Sequence, residues 1–586
     1  MKRLNRVVAV AALATAGLCS GLHAQVLDQA PSSAMGVFEV KNLQSMSDKV
    51  AKFAKSLGVD QFEPKFADPL GSLIDTTGMK EGINKNGDMA IAVFNPKKGD
   101  QPIDMDKEPP VVVLIPIDDY DSFLKNFTDA KANGDITEAH FPKNEDKEKS
   151  VFIVHRGKYA AIAPKSALLS DHGGMKLKGA AAKEAQTKDA IFYVDLKTAR
   201  PEIRKGYDDA MTEARKQMTD ANNPVTAQLP PFLMPLVDHF ASQLIDGTNS
   251  AAISFNLTDT ALSTAVIGDF EPGSYVGKLV GQAKNTDQPL LAGLPDRPLW
   301  MYFGGVITGS IIDQLATDVG DIIKKNPPKG ASADEVDKYL ALMKKSAGAA
   351  KSTAGAAVVP QAGENYMQII NVMKGNGPVM FDSAKQSVGY ANLFTGMQPG
   401  SKMKMDMKLG EPTTVDGAKL QPYSMEVSAD PNDPAAAQMK QVMQMMYGGN
   451  GINGTFGLVN DTTLIQTQGA PQQLIADLIA SAKGGSDPLD KAENVKVTSD
   501  QLPKQRVAVG YLALDNLANA VVAVMKQQGM PLQFKLPPNL PPIGVSLATD
   551  GSAARVDTVI PTKLVESITA AVMQAMMQNN GQQKGV

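Results

Sequence analysis

Short runs in which apolar and polar positions alternate recur along this chain, and stretches with a helical repeat follow them. From Met35 the pattern predicts a strand over Gly36 to Val40, then a helix with Met46, Val50, Phe53 and Leu57 on one face and Asn42 as its N-cap. Gly87 to Phe94 and Val111 to Ile117 read as strands, the second nearly uniformly apolar and so expected to be buried on both faces. Asp118 and Asp119 cap a helix to about Phe127. A hairpin over Ile136 to Phe141 and Val151 to Val154 turns around the charged Lys143 to Lys149, and the strand Tyr159 to Ala163 leads into a helical Ser166 to Ser170.

The order of these features repeats about three hundred residues later. The strand Ile191 to Leu196, a helix from Thr198, a Leu-Pro-Pro step at Leu229 to Pro231, the hairpin Ala252 to Ile267 and a helix after Pro272 match a second series. That series is the strand Val507 to Leu514, an Asp-Asn helix start, an apolar helix to Gln528, Leu536 to Pro538, a hairpin and a final helix. The opening strand has its counterpart in Leu299 to Phe303, with Ile307, Ile311, Ile312 and Leu315 in the helix behind it. Tyr159 to Ala163 has its counterpart in Thr462 to Thr467, followed by a helix over Gln472 to Ser481. Hairpins and meanders outnumber strand-helix-strand alternation. The expected fold is therefore α+β, as two tandem similar halves, each a predominantly antiparallel sheet with packed helices.

The Pro/Gly/Asp-containing run Asn285 to Pro295 predicts the boundary, giving halves over 25–290 and 291–578 and a disordered tail over 579–586. Within the second half, 325–363 reads as an insertion: a Pro-Lys break at Lys325 to Lys329, a helix over Ala333 to Ser346 and a mobile Ala/Gly/Ser tract, Ala347 to Ala357. Strands are then expected over Val379 to Asp382, Ser387 to Phe394, Lys402 to Leu409 and Tyr423 to Val427.

Residues 1–24 change the picture from fold to address. Lys2, Arg3 and Arg6 precede the apolar run Val7 to Leu18, and a short polar stretch ends at Leu22-His23-Ala24, the order of a secretory signal peptide. Cleavage after Ala24 removes those three cations and takes the net charge from −4 to −7. The sole cysteine, Cys19, lies in that leader, with Leu18 before it where a lipoprotein signal has a small residue, so the mature chain would have no disulfide, zinc-thiolate or cysteine nucleophile. Mild acidity without a Lys/Arg cluster argues against a nucleic-acid partner. No later segment is apolar for long enough to span a membrane. The expected location is the periplasm or the extracellular medium.

Candidate chemistry is sparse. Met403, Met405 and Met407 alternate with charges along one strand, as soft copper ligands or as a half-buried core face. His140 and His155 fall opposite each other if their hairpin centres near Lys147 and Glu148, with Glu138 or Asp171 at hand for a divalent metal. The glycine pattern of Gly449, Gly451 and Gly454 follows a helix and precedes a strand, the reverse of a dinucleotide turn. Ser122 and Lys125 have the Ser-x-x-Lys spacing without its companion motifs, and Asp104, Asp106 and Glu108 form an acidic loop lacking the calcium-loop glycine. Each has an ordinary structural explanation, so no catalytic, cofactor or metal residue is assigned. Met439, Met443 and Met446, widened by Val442 and Met445, form a stripe on one helix face before the loop Gly448 to Gly454, and are the candidate binding surface.

The opening strand with Asn42-Leu43 and its helix, the two-strand Gly-Asp units and the strand-helix-hairpin close resemble large exported bacterial envelope proteins of unknown function. That resemblance implies an envelope location and an internally duplicated α+β build, and carries over no catalytic residue. The function expected is a non-catalytic binding or scaffolding protein engaging an envelope protein or an apolar ligand. An envelope metal-binding protein using Met or His, and a hydrolase with a dispersed site, are the alternatives.

Overall fold

The computed structural model describes residues 26–94, 110–141, 150–219, 232–327, 332–361, 364–390, 404–428, 446–447, 451–484, 488–489, 491–527 and 534–582. The chain is α+β, with helices packed on antiparallel sheet. It divides into two compact units, one of Met1–Glu202, Thr248–Glu271 and Ser552–Ala570, the other of Ile203–Gly247, Pro272–Gly551 and Ala571–Val586. These units interleave along the sequence instead of meeting at residue 290.

The first unit's sheet is built around the strand Gly36–Val40. On one side it pairs with Met89–Val93, and the order continues through Val111–Pro116, Tyr159–Ala163, Val151–Arg156, Ile136–His140 and Thr128–Asn133. On its other side follow Ala190–Asp195, Thr248–Leu257, Ala261–Phe270 and Ala553–Pro561. The helix Leu43–Ser56 starts where Asn42 accepts a hydrogen bond from the Ser45 amide at 2.9 Å, and its apolar face covers Phe38, Val40, Ile91 and Leu262. The closing strand is fastened by ions: the Arg555 guanidinium donates to Asp557 and to Glu184 on the helix Gly179–Thr187, and Ser254 donates to the other oxygen of Glu184 at 2.9 Å. These charges are largely buried, so each needs its partner.

In the second unit Leu299–Val306 is the central strand. It pairs on one side with Ala350–Val358, then Gln368–Gly375, Thr463–Gln468, Gly451–Asn460, Ala418–Ser428 and the short strands Lys404–Leu409 and Thr413–Val415. On the other side come Ala508–Leu512 and Ile543–Asp550. The order of pairing on the first of these sides recurs between the units, whereas the other side has four strands in the first unit and two among the described residues of the second.

Several expectations need correction. Ala350–Val358, read as part of a mobile insertion, is a strand hydrogen-bonded on both sides, with Ala354, Ala356, Ala357 and Val358 buried. At Gly355 a side chain is excluded by what lies over it: the Asn371 side-chain oxygen and the Phe303 ring sit where its Cβ would be. Val379 to Asp382 is helical, inside Gly377–Ser387, because Asn376 caps the Val379 amide and Pro378 suits the first turn. Val388–Tyr390 is a turn of 3-10 helix, and the rest of that expected strand lies outside the described residues. The helix after Asp119 ends at Leu124, giving way to the strand Thr128–Asn133. At the end of the chain the helix Thr562–Gln582 runs into the stretch expected to be disordered.

Each unit also has a strap that precedes its central strand and crosses the sheet's inner face. In the first unit this is Val26 to Ala34, with Val26, Leu27, Ala30 and Ala34 buried against Val37, Ala161 and Tyr193. In the second, the run expected to be a linker places Leu290, Leu291, Ala292 and Leu294 in the interior. Both straps make the same turn: the Ala30 amide donates to the Leu27 carbonyl and the Leu294 amide to the Leu291 carbonyl, each at 3.2 Å. A proline follows in both, Pro31 and Pro295.

Candidate functional site: the uncovered apolar faces of the sheets

Opposite the strap, the outer face of each sheet is only partly covered. In the first unit the register sets Phe192 opposite Ile253, Ile253 opposite Val266 and Val266 opposite Val556, a straight row over four adjacent strands. Strand alternation puts all four side chains on the same side. They are between 36 and 50% exposed. The flanking rows on this face are uncharged: Val194, Ala251, Gly268 and Ala554 on one side, Ala190, Phe255, Thr264 and Thr558 on the other. Phe270 lies over Gly268, closing the sheet surface beside the row.

The second unit has an exposed apolar patch too, on its central strand and the two strands beside it. Met301 faces Leu512 and Leu512 faces Ile543; Phe303 faces Gly510 and Gly510 faces Val545; Ala508 faces Leu547. Met301, Phe303, Val545 and Leu547 are 37 to 42% exposed. A contiguous exposed apolar patch of this kind is uncommon on a soluble surface and marks a place of contact, whereas single exposed apolar side chains are ordinary. The strands carrying these residues are paired along both edges, except where Ile543–Asp550 and Ala553–Pro561 end the described order of their units. The interior strands therefore offer a partner side-chain contact instead of free backbone hydrogen bonds.

The residues singled out in the sequence fall elsewhere. Met439 and Met443, with Val442 and Met445, lie outside the described residues; Met446 is half-buried, and its carbonyl accepts from the Met367 amide at 3.0 Å. Met403 is outside them too, while Met407 is half-buried on the strand face opposite Asp406 and Lys408, which pair with each other at 2.9 Å. The hairpin sets Ala139 opposite Val151 and Ile136 opposite Val154, so it centres on residue 145 and does not bring His140 and His155 together. His140 faces Thr128, and His155 stacks on Tyr120 with ring centroids 4.5 Å apart. Ser122 is engaged by the capping carboxylate of Asp119, and Asp104, Asp106 and Glu108 are outside the described residues. Gly451 and Gly454 belong to the strand Gly451–Asn460, where Gly454 lies under the Tyr423 ring. Among the described residues no group of three or more His, Cys, Asp or Glu side chains is placed to hold a metal ion. A depression of about 240 Å³ between the helices Gly309–Lys325 and Ala333–Ala349 is lined by Thr317, Lys324, Asp337 and Lys344, which are tied up in the ion pair of Lys324 with Asp337 and the hydrogen bond from Lys344 to Thr317.

The apolar row was accessible to sequence reasoning only in part. Alternation marks Phe192, Ile253 and Val266 as one face of their strands, but their being left uncovered depends on where the helices pack.

No family model matches this chain, and no curated protein does. A solved structure, that of TP0453 in its crystal form III, is matched over 49% of this chain and 100% of that one at 9% identity, with a TM-score of 0.21. A likeness that low carries no argument about fold or function. Among the described residues no helix is long and apolar enough to cross a membrane.

Proposed function

We propose that this chain is an exported, non-catalytic binding protein that takes an apolar ligand on the uncovered outer faces of its sheets. The row Phe192, Ile253, Val266 and Val556 carries this reading. Covering apolar surface is favourable by about 25 cal/mol per Å². A face with no charged side chain in three adjacent rows has little beyond the Thr264 and Thr558 hydroxyls to desolvate when it is covered. The recurrence of the pairing order supports regarding the two faces as two copies of one binding element produced by internal duplication. The signal-like leader supports the exported location.

Titration of the full chain with an environment-sensitive fluorescent fatty acid tests the proposal. The expected result is saturable binding that is lost when Ile253→Lys and Val266→Lys are combined in a chain that still unfolds cooperatively. Absence of saturable binding, or binding indifferent to both substitutions, would overturn it.

A further inference from the structure

The two straps cross equivalent places on their central strands. Tyr193 faces Val37 in the first unit and Tyr511 faces Tyr302 in the second, so the next inward position is Glu39 in one and Gly304 in the other. At Gly304 the strap rests on backbone: a Cβ there would stand 2.0 Å from the Leu290 carbonyl oxygen. At Glu39 a carboxyl fills the corresponding place. It is fully buried between Ala90 and Ile191, and neither of its oxygens has a hydrogen-bond partner among the described residues.

A carboxyl so placed is kept neutral by its surroundings. Burial is the main influence, offset in part by Lys41 just past the end of the strand and reinforced by Asp88, and together they push Glu39 up to about 8. Tyr159, on the strand Tyr159–Ala163, lies within electrostatic reach of Glu39, Asp88 and the strap's own Asp28. The strap is held there by the burial of Val26, Leu27, Ala30 and Ala34 and by polar anchors at its flanks. Arg156 donates to the Gln29 carbonyl at 2.9 Å, the Met175 amide donates to the carbonyls of Leu27 and Ala30, and Asp171 accepts from Ser32 and Ser33. The strap thus crosses the sheet face that carries a buried titratable group in one unit and rests on a glycine in the other.

We infer that the strap Val26 to Ala34 is a proton-controlled cover: it closes over a protonated Glu39 and lifts when that carboxyl ionises, exposing the apolar cluster of Val37, Ala161 and Tyr193. The physical requirement is simple. An ionised carboxylate without a partner must reach water, and the strap, a short irregular segment packed on the same sheet face beside Val37, is the element that can move locally to admit it. Leu290 to Leu294 has Gly304 at the corresponding place and stays closed.

Thiol labelling of the full chain carrying Cys19→Ser tests this, with one new cysteine at Ala30→Cys or, as the reference strap, at Leu294→Cys. The ratio of the two labelling rates removes the pH dependence of the thiol itself. That ratio is expected to rise about tenfold between pH 7 and pH 9, and adding Glu39→Gln is expected to abolish the rise. A constant ratio, or the same rise with Glu39→Gln present, would overturn the inference. If the doubly substituted chain does not fold, amide exchange in the otherwise unaltered chain decides: Ala30 and Met175 must accelerate with pH relative to Leu294, and parallel behaviour refutes the cover.

Discussion

In the second unit the carbonyl of Leu290 rests against Gly304, whereas in the first unit the corresponding inward position is Glu39, a buried carboxyl without a partner. The flanks of the two straps are nevertheless held alike. Asp171, in the segment after the strand Tyr159–Ala163, grips Ser32 and Ser33. Asp477, on the helix after Thr463–Gln468, grips Arg297, and Ser481 donates to the Leu294 carbonyl at 2.8 Å. The same sheet order and the same turn can thus carry a rigid seat or a titratable one. One residue on the central strand makes the difference, since the sheet pairs normally in both units.

Exchanging the two seats breaks the comparison most severely. Gly304→Glu places a side chain where the Leu290 carbonyl already lies and is expected to cost more than about 3 kcal/mol, seen as a lower midpoint in urea unfolding. The reciprocal change acts through pH. The folded pKa of Glu39, about 8, is raised above its ordinary value of 4.5, so its contribution is fully present below about pH 4.5 and is lost as pH rises through 8. Glu39→Gln removes that slope. Its stability relative to the unaltered chain should rise across this window by on the order of 3 kcal/mol, measured by urea unfolding at pH 5 and pH 9. Equal slopes in the two chains would show that Glu39 is hydrated in the folded state.

The anchors give a smaller effect with the opposite dependence on pH. Burial pushes the Asp171 carboxyl up, but hydrogen bonds from Ser33, Gly173 and Ser32 outweigh it and hold it at about 2. Its contribution is present above the ordinary carboxylate range and is lost as pH falls through 2. Asp171→Asn is expected to cost about 1 kcal/mol at pH 7, because the site is partly open to solvent, with the difference from the unaltered chain shrinking toward pH 2. Asp477→Asn should behave similarly in the other unit. Arg297 lies beside that carboxyl, which burial pushes up but the guanidinium and Gln473 bring down further.

Where the sequence carried alternation and a cap, the elements were legible. Gly36–Val40 and Tyr159–Ala163 have the bounds that their apolar patterns suggest, and Asn42 caps as its position before the helical repeat implies. The straps were hidden because Gly, Pro and Asp between 285 and 297 outweigh the three leucines that go inside. Ala350–Val358 was hidden because composition alone reads an Ala/Gly/Ser tract as mobile, whereas in the fold Ala354, Ala356 and Ala357 are buried and Gly355 lies under Phe303. Glu39 did leave a trace, since period two places it on the face of Val37. That this position would be fully buried depended on the packing over that face, which no local pattern reveals. The apolar faces were lost to sequence reasoning for a related reason: alternation tells which side chains share a face, and only tertiary packing tells whether that face is covered.

The smallest expected effect separates the two outer faces. Val266 is half exposed in a row whose four side chains are all at least 36% exposed, so Val266→Thr, which keeps the β-branched shape, should change stability by less than about 0.5 kcal/mol. Phe303 is exposed to a similar degree, but its ring also lies over Gly355 and shields a strand that has no side chain of its own there. Phe303→Thr should therefore cost about 1 kcal/mol more than Val266→Thr, measured by thermal unfolding of the two variants side by side. The comparison also separates stability from binding. If the outer faces exist for a ligand, Val266→Thr weakens uptake of a fluorescent fatty acid while leaving the melting temperature in place. If Val266→Thr lowers the melting temperature as much as Phe303→Thr does, the row is an internal surface closed by some other part of the chain, and its exposure has no bearing on binding.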